Sequence, residues 1–231
     1  MMKIKRIFFG VLVLGASLLG ISTVYAKMQP VLNQQTVTIQ VPLENQNEEK
    51  KLGNGCEITA LSMLLNYYGY QTTKNKLAEK LTYVPVWVND TLHGDPQDGF
   101  VGNINGGLEA MGVGVEPVAQ VAQQVVQSDV AVHASRNLDF AEIESLVKQG
   151  TPVWVETTTD FRLPAKGEIK TWKTQHGTIN VVTLCHAVVI TGISQDWVYV
   201  NDPYGHKDRQ VEKARFIKTN QIMGSQSLYL A

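Results

Sequence analysis

Apolar positions fall on one face of a helix between Cys56 and Tyr68, where Ile58, Leu61, Leu64, Leu65 and Tyr68 recur at helical spacing. Gly53 and Gly55 precede this stretch and allow a tight turn before it, and Gly69 follows as its C-terminal cap. The same period predicts short helices over 74–81 and 105–111. It predicts a further helix over 140–148, where Phe140, Ile143, Leu146 and Val147 align, Asp139 caps and Gly150 stops. Alternation and β-branched runs predict strands over 36–41, 113–118 and 152–157, with Pro152 in the tolerated first position. Two longer β-rich runs, 181–193 and 197–201, are joined by Ser194-Gln195-Asp196 as a hairpin, and 209–211 and 226–230 are expected as edge strands. Helices come first and an antiparallel sheet after, an α+β pattern. Segment 84–107 has little periodicity but carries Trp87, Phe100 and Val101, so it is expected to be an ordered surface loop bordering a cleft.

Composition narrows the picture. A net charge of −1 over 231 residues gives no basic excess for nucleic acid. Lys3, Lys5 and Arg6 precede an apolar run over 7–21, and Val24-Tyr25-Ala26 ends it with a small residue. This predicts a signal peptide over 1–26, cleaved after Ala26. The alternative is an uncleaved anchor, although the run is short against the roughly 20 apolar residues of a span. A linker over 27–37 and one domain over 38–231 are expected, outside the cytoplasm in a secreted or cell-surface setting.

Cys56 stands at the head of the first helix, where unpaired N–H groups and the helix dipole favour a thiolate. The competing reading is a small core hydrophobe. His186 interrupts an apolar strand, either as a satisfied core histidine or as a general base on a rigid element. Asp202 ends the second strand of the hairpin and so returns beside His186, although Asp-Pro is also a common strand-ending turn. Together they have the roles of nucleophile, base and orienting acid. His93, Asp95, His176 and His206 lack metal-ligand spacing, and no CxxC or HExxH occurs, so neither metal nor cofactor is expected.

Asn-Gly-Cys-Glu-Ile-Thr-Ala-Leu-Ser-Met-Leu-Leu-Asn-Tyr-Tyr-Gly, Cys-His-Ala-Val-Val-Ile-Thr-Gly and Tyr-Val-Asn-Asp-Pro resemble stand-alone relatives of the bacteriocin-processing, double-glycine cysteine peptidases. Gly94-Asp95-Pro96, Gly99-Phe100-Val101-Gly102 and Gly150-Thr151-Pro152-Val153-Trp154-Val155 extend the likeness over about 38–205. The resemblance implies a papain-like fold, with a helical part that carries the cysteine helix packed on an antiparallel sheet. It implies Cys56 as nucleophile, His186 as base and Asp202 as orienting acid. It also implies an oxyanion donor upstream of the cysteine, for which Gln46 is the candidate and Asn54 the alternative. Asp95, Phe100, Trp154 and Thr157 are expected along the cleft.

The family's processing enzymes act on leader peptides at the cytoplasmic face. An export signal favours cell-wall peptides or secreted proteins as substrates, with acyl transfer as an alternative to hydrolysis. Two rival readings remain: a non-catalytic peptide- or wall-binding module, and a domain stapled by a Cys56–Cys185 bridge. Side chains alternate across a strand, so if His186 faces Cys56, then Cys185 points away, and a catalytic His186 and the bridge are nearly exclusive.

Overall fold

The computed structural model describes residues 37–231. The expected signal peptide and, apart from Val37, the expected linker lie outside the described residues. One antiparallel sheet carries the fold, in the order β10 (His206–Glu212), β9 (Trp197–Asp202), β8 (Cys185–Ile193), β5 (Val153–Thr158), β11 (Ser227–Leu230), β4 (Val132–Ser135), with the short β1 (Val37–Thr38) paired to the end of β8. At its centre β5 lies against β8, and β8 against β9. β10 forms one edge. β4 forms the other, next to β11.

Helix α1 (Cys56–Tyr67) packs on β8 and β5. Every residue from Cys56 to Leu65 is buried, so it is enclosed on all sides rather than along one face. α2 (Lys74–Ala78) and α3 (Val115–Gln123) cover its outer side. The Trp154 indole N–H donates to the Glu57 carbonyl at 3.0 Å and ties β5 to the first turn of α1. α4 (Phe140–Lys148) has the expected bounds, with the Asp139 carboxylate accepting the Ala141 N–H, and Gly150 leaves it at φ 90°.

Several expectations change. The strand expected over 113–118 is the start of α3, because Val115, Val118, Val121 and Ala122 bury one helical face after Gly114. The helix expected over 105–111 is a series of turns, with Gly106, Gly107 and Gly112 at positive φ. The run 181–193 is broken at Thr183–Leu184 into β7 (Gly177–Val182), which pairs with β6 (Ile169–Thr174), and β8. The 226–230 segment is not an edge, since β11 lies between β5 and β4. A parallel pair, β2 (Tyr83–Val84) and β3 (Phe100–Val101), anchors the long loop, and α5 (Lys213–Ile222) packs on β5. Among the described residues no helix is long and apolar enough to cross a membrane.

Candidate active site

The turn before α1 sets the cysteine. Gly53 N–H and Asn54 N–H donate to the Asn105 and Ile104 carbonyls, and a Cβ at Gly53 would stand 2.8 Å from that Asn105 oxygen. Gly55 then serves as N-cap, and Cys56 is the first helical residue, 6% exposed. The first-turn N–H groups of such a helix have no partner inside it.

The Cys56 thiol does not behave as its place at the helix head suggests. Its S–H donates to Glu57 Oε2 at 3.2 Å. Burial pushes its pKa well above the usual thiol range, and the adjacent Glu57 and Cys185 push it the same way. The Ala187 N–H, next in the chain to His186, points at the sulfur and pulls it down, but burial wins. The first-turn field is thus outweighed by desolvation and a neighbouring carboxyl.

His186 lies on β8 opposite Thr157 of β5, 1% exposed. Its Nε2 donates to Asp202 Oδ1 at 2.9 Å, while its Nδ1 is buried with no hydrogen-bond partner among the described residues. The Tyr204 ring stacks on the imidazole, with centroids 4.7 Å apart. Asp202 also accepts the Tyr204 N–H at 3.0 Å, and its Oδ2 accepts Arg209 Nη1 at 2.8 Å. Burial alone would raise its pKa, but His186, the Tyr204 amide and Arg209 hold the carboxylate down at about 2. An ionised Asp202 keeps the proton on Nε2 in the neutral ring and leaves Nδ1 as the basic nitrogen.

The register explains this contact. Val189 faces Asn201 and Ile190 faces Val200, with a shift at Thr191, so the end of β9 runs back beside the start of β8. Arg209 comes from the next strand, where it faces Val200. Its guanidinium lies 4.9 Å over the Phe161 ring, and Nη2 donates to Asp160.

Gln46 is 1% exposed, and both amide hydrogens go to the Leu52 and Gly53 carbonyls, at 3.2 and 2.9 Å. Asn54 spends its amide on the Asn103 and Gly107 carbonyls. Both side chains therefore brace the turn that carries Cys56, and neither holds out a spare N–H. Both thiols are free. The alternation rule, by which a His186 facing Cys56 would turn Cys185 away, does not hold for Cys185, which is the first residue of its strand. Cys185 opens β8, where its sulfur reaches the Met111 carbonyl at 3.5 Å and adds to the field at Cys56.

Phe100, Trp154 and Thr157 do not border a cleft. All three are fully buried: Phe100 lies 5.9 Å from Tyr83 between ring centroids, Trp154 under Glu57, and Thr157 against Thr219 Oγ1 at 2.8 Å. Their large or β-branched side chains fill the layer between sheet and helices. Asp95 lines a cavity of about 690 Å³ that runs past Cys185, and its Oδ2 accepts the Thr174 hydroxyl at 2.8 Å. His176 pairs with Asp98 at 3.0 Å. His93 lies between Trp87 and Trp172, with ring centroids 3.7 and 4.1 Å away. Among the described residues no group of His, Cys, Asp or Glu is placed to hold a metal.

Glu57, Tyr204, Arg209 and the buried Glu156 escaped the sequence reading. Glu57 had a signal, since an acidic residue beside a cysteine in an apolar helix must find a partner.

The comparisons with known proteins bear on the family and the fold. Residues 38–228 match the Peptidase_C39 like family. An uncharacterized protein of Bacillus subtilis (strain 168), YvpB, is 38% identical over 192 residues, 83% of this chain and 75% of that protein. A crystal structure from Bacillus anthracis, assigned as a C39-like peptidase, superposes with a TM-score of 0.76 at 32% identity, covering 85% of this chain and 98% of that one. A double glycine motif protease from an AMS/PCAT transporter, solved with the leader peptide, gives a TM-score of 0.45 at 18% identity over 85% of this chain and 96% of that one. With its papain-like α+β architecture, its helix-borne cysteine and its matching span, the chain belongs to the Peptidase_C39 like family.

Proposed function

We propose that this protein is a cysteine peptidase that acts outside the cytoplasm, with Cys56 as nucleophile, His186 as general base and Asp202 as the acid that orients it. The observation that carries this reading is the buried His186–Asp202 pair at 2.9 Å, which leaves Nδ1, on the strand that adjoins Cys56, without a partner among the described residues. A buried nitrogen acceptor left unmatched costs stability, and a proton-transfer role accounts for it.

In the resting state the thiol keeps its proton and donates a hydrogen bond to Glu57. The reaction begins when the S–H turns from Glu57 Oε2 to His186 Nδ1, which takes the proton as the sulfur attacks the substrate carbonyl. The resulting S–C bond makes a tetrahedral oxyanion, for which the Cys56 backbone N–H is the natural donor. His186 returns the proton to the leaving amine, the C–N bond breaks and an acyl-enzyme remains. Water, deprotonated by His186, releases the acid. A second amine in the same place would give acyl transfer. Peptides are the substrate class that the family supports. Cell-wall peptides and secreted proteins follow from the expected export signal.

Trapping the acyl-enzyme tests the reading. Short peptidyl p-nitrophenyl esters are expected to give a burst of nitrophenolate and an intact-mass adduct located on Cys56. Replacing His186 with Ala is expected to slow acylation by about 10³-fold or more. An unmodified Cys56 after exhaustive exposure would reject the peptidase. It would favour a binding module on the same fold, the reading that the Glu57-bound thiol also favours.

A further inference from the structure

The cavity beside Cys185 has apolar walls of Met111, Val113, Val181, Val182, Ile222 and Met223, and two buried carboxyl groups inside, Glu156 and Asp95. Its volume of about 690 Å³ is that of a small-ligand site. Glu156 is 3% exposed. Its Oε2 accepts the Gln226 amide, while Oε1 has no hydrogen-bond partner among the described residues, and the side chain lines the cavity. Among the described residues the Asp95 carboxyl, 4% exposed, is met only by a hydroxyl and a backbone N–H. Among the described residues no cation is paired with either. The two basic groups of the lining, Arg136 and His176, are more than half exposed at the mouth. Each already has an acid, Glu116 at 2.8 Å and Asp98 at 3.0 Å. Met111 and Val113 flank Gly112, against which both Glu57 Oε1 and Cys185 Sγ lie, so the cavity wall adjoins Glu57, the residue that follows Cys56.

We propose that this cavity is the substrate subsite for an alkyl side chain ending in an ammonium, lysine or a diamino acid, with Glu156 as its counter-ion and Asp95 as a second acceptor. The apolar walls take the methylene stem, as such stems are buried elsewhere while their heads find a charge. The inference rests on the peptidase reading, whose substrate class it narrows.

A proton accompanies binding. Burial pushes the Glu156 carboxyl pKa well above the usual carboxylate range, and the charges of Glu57 on α1 and Glu116 on α3 act in the same direction. Asp95, the His176–Asp98 pair, Arg136 and Cys185 complete the groups around the cavity. An arriving ammonium makes the carboxylate the favoured form, and the carboxyl proton leaves to solvent.

Titration calorimetry of the native protein tests the proposal by binding rather than by acylation of Cys56. Acetyl-Ala-Ala-X-Ala-Ala-amide with lysine at X is expected to bind about tenfold or more tightly than with norleucine, the difference a charge-assisted hydrogen bond makes. The preference is expected to vanish in Glu156→Gln, whose amide can keep the Gln226 contact. Lysine presented in a γ-D-glutamyl stem peptide separates the sources: tighter binding than the linear peptide assigns the ammonium to wall peptide, and weaker binding to protein. Should Glu156→Gln fail to fold, native protein titrated in buffers of different ionisation heat decides. Proton release with lysine and none with norleucine supports the subsite, and equal release overturns it. Equal affinities, or a preference that survives in folded Glu156→Gln, also overturn it. A lysine preference without acyl trapping at Cys56 would reject the peptidase alone, and acyl trapping without a preference would reject the subsite alone.

Discussion

Glu57 is the residue on which the state of Cys56 turns. Its Oε2 accepts the thiol proton at 3.2 Å and its Oε1 accepts the Val113 N–H at 3.2 Å, so both oxygens act as acceptors. Burial raises the Glu57 pKa, and its own N–H, the Cys56 thiol and the Val113 N–H pull the other way. A carboxyl that accepts from a thiol favours the protonated sulfur. In Glu57→Gln the side-chain oxygen can keep Val113 while the amide N–H turns to the sulfur and favours the thiolate. The rate of Cys56 alkylation by iodoacetamide is therefore expected to rise at lower pH in Glu57→Gln than in the native protein. An unchanged or higher pH midpoint, read by mass spectrometry of the Cys56 peptide, would remove Glu57 from the control of the thiol. His186→Ala in the same series separates the two neighbours, because it takes away the base and leaves the Glu57 contact intact.

At the scale of elements, the turn between β3 and α3 has as large a part in the site as the strands. Gly112 has φ 74°, and a Cβ there would stand 2.2 Å from Glu57 Oε1 and 3.1 Å from Cys185 Sγ. Gly112→Ala is expected to cost roughly 1–3 kcal/mol in urea denaturation, the usual range for backbone strain of this kind. It is also expected to displace the Glu57 carboxyl, so the alkylation profile of Cys56 should move in the direction of Glu57→Gln. Stability lost with no change at Cys56 would mean that the carboxyl finds another place. The local sequence did mark part of this turn: Gly106 and Gly107 take positive φ, which a helix over 105–111 does not allow, while the contact of Gly112 with Glu57 depends on the fold. The same holds for Val113 to Val118, where a β-branched run reads as a strand until Gly114 and the burial of Val115 and Val118 on one face make it a helix. The hairpin that joins His186 to Asp202 was legible because its connection is local. Arg209 was not, since its role depends on which side of β10 meets Asp202. Trp154 and Thr157 have the composition of cleft residues and the position of core residues, and only packing distinguishes the two.

Across the whole molecule, buried acids of opposite kinds set the pH limits of the fold. The Asp202 pKa is lowered to about 2 in the folded protein, so its contribution is present above the unfolded value and is lost as pH falls through about 2. By linkage it is worth about 2 kcal/mol at neutral pH. Glu156 has the opposite sign, since burial raises its folded pKa well above the ordinary carboxyl value. Its contribution is complete below the unfolded Glu pKa and declines as pH rises toward the folded one. Stability is therefore expected to peak in mildly acidic solution and to fall on both sides, with a different residue behind each limb. Melting temperature measured against pH for three proteins separates them. Glu156→Gln, which cannot ionise, is expected to flatten the decline on the alkaline side while its acid limb matches the native protein. Asp202→Asn is expected to be less stable at neutral pH and to lose the steep part of the acid limb below about pH 4, where the unfolded carboxylate begins to bind protons. If Glu156→Gln leaves the alkaline limb as steep as before, Glu57 becomes the group that the fold must keep protonated, since burial raises it as well. The acid beside the nucleophile would then set the upper pH limit of the molecule, and the pH range in which Cys56 gains reactivity would be the range in which the fold loses stability.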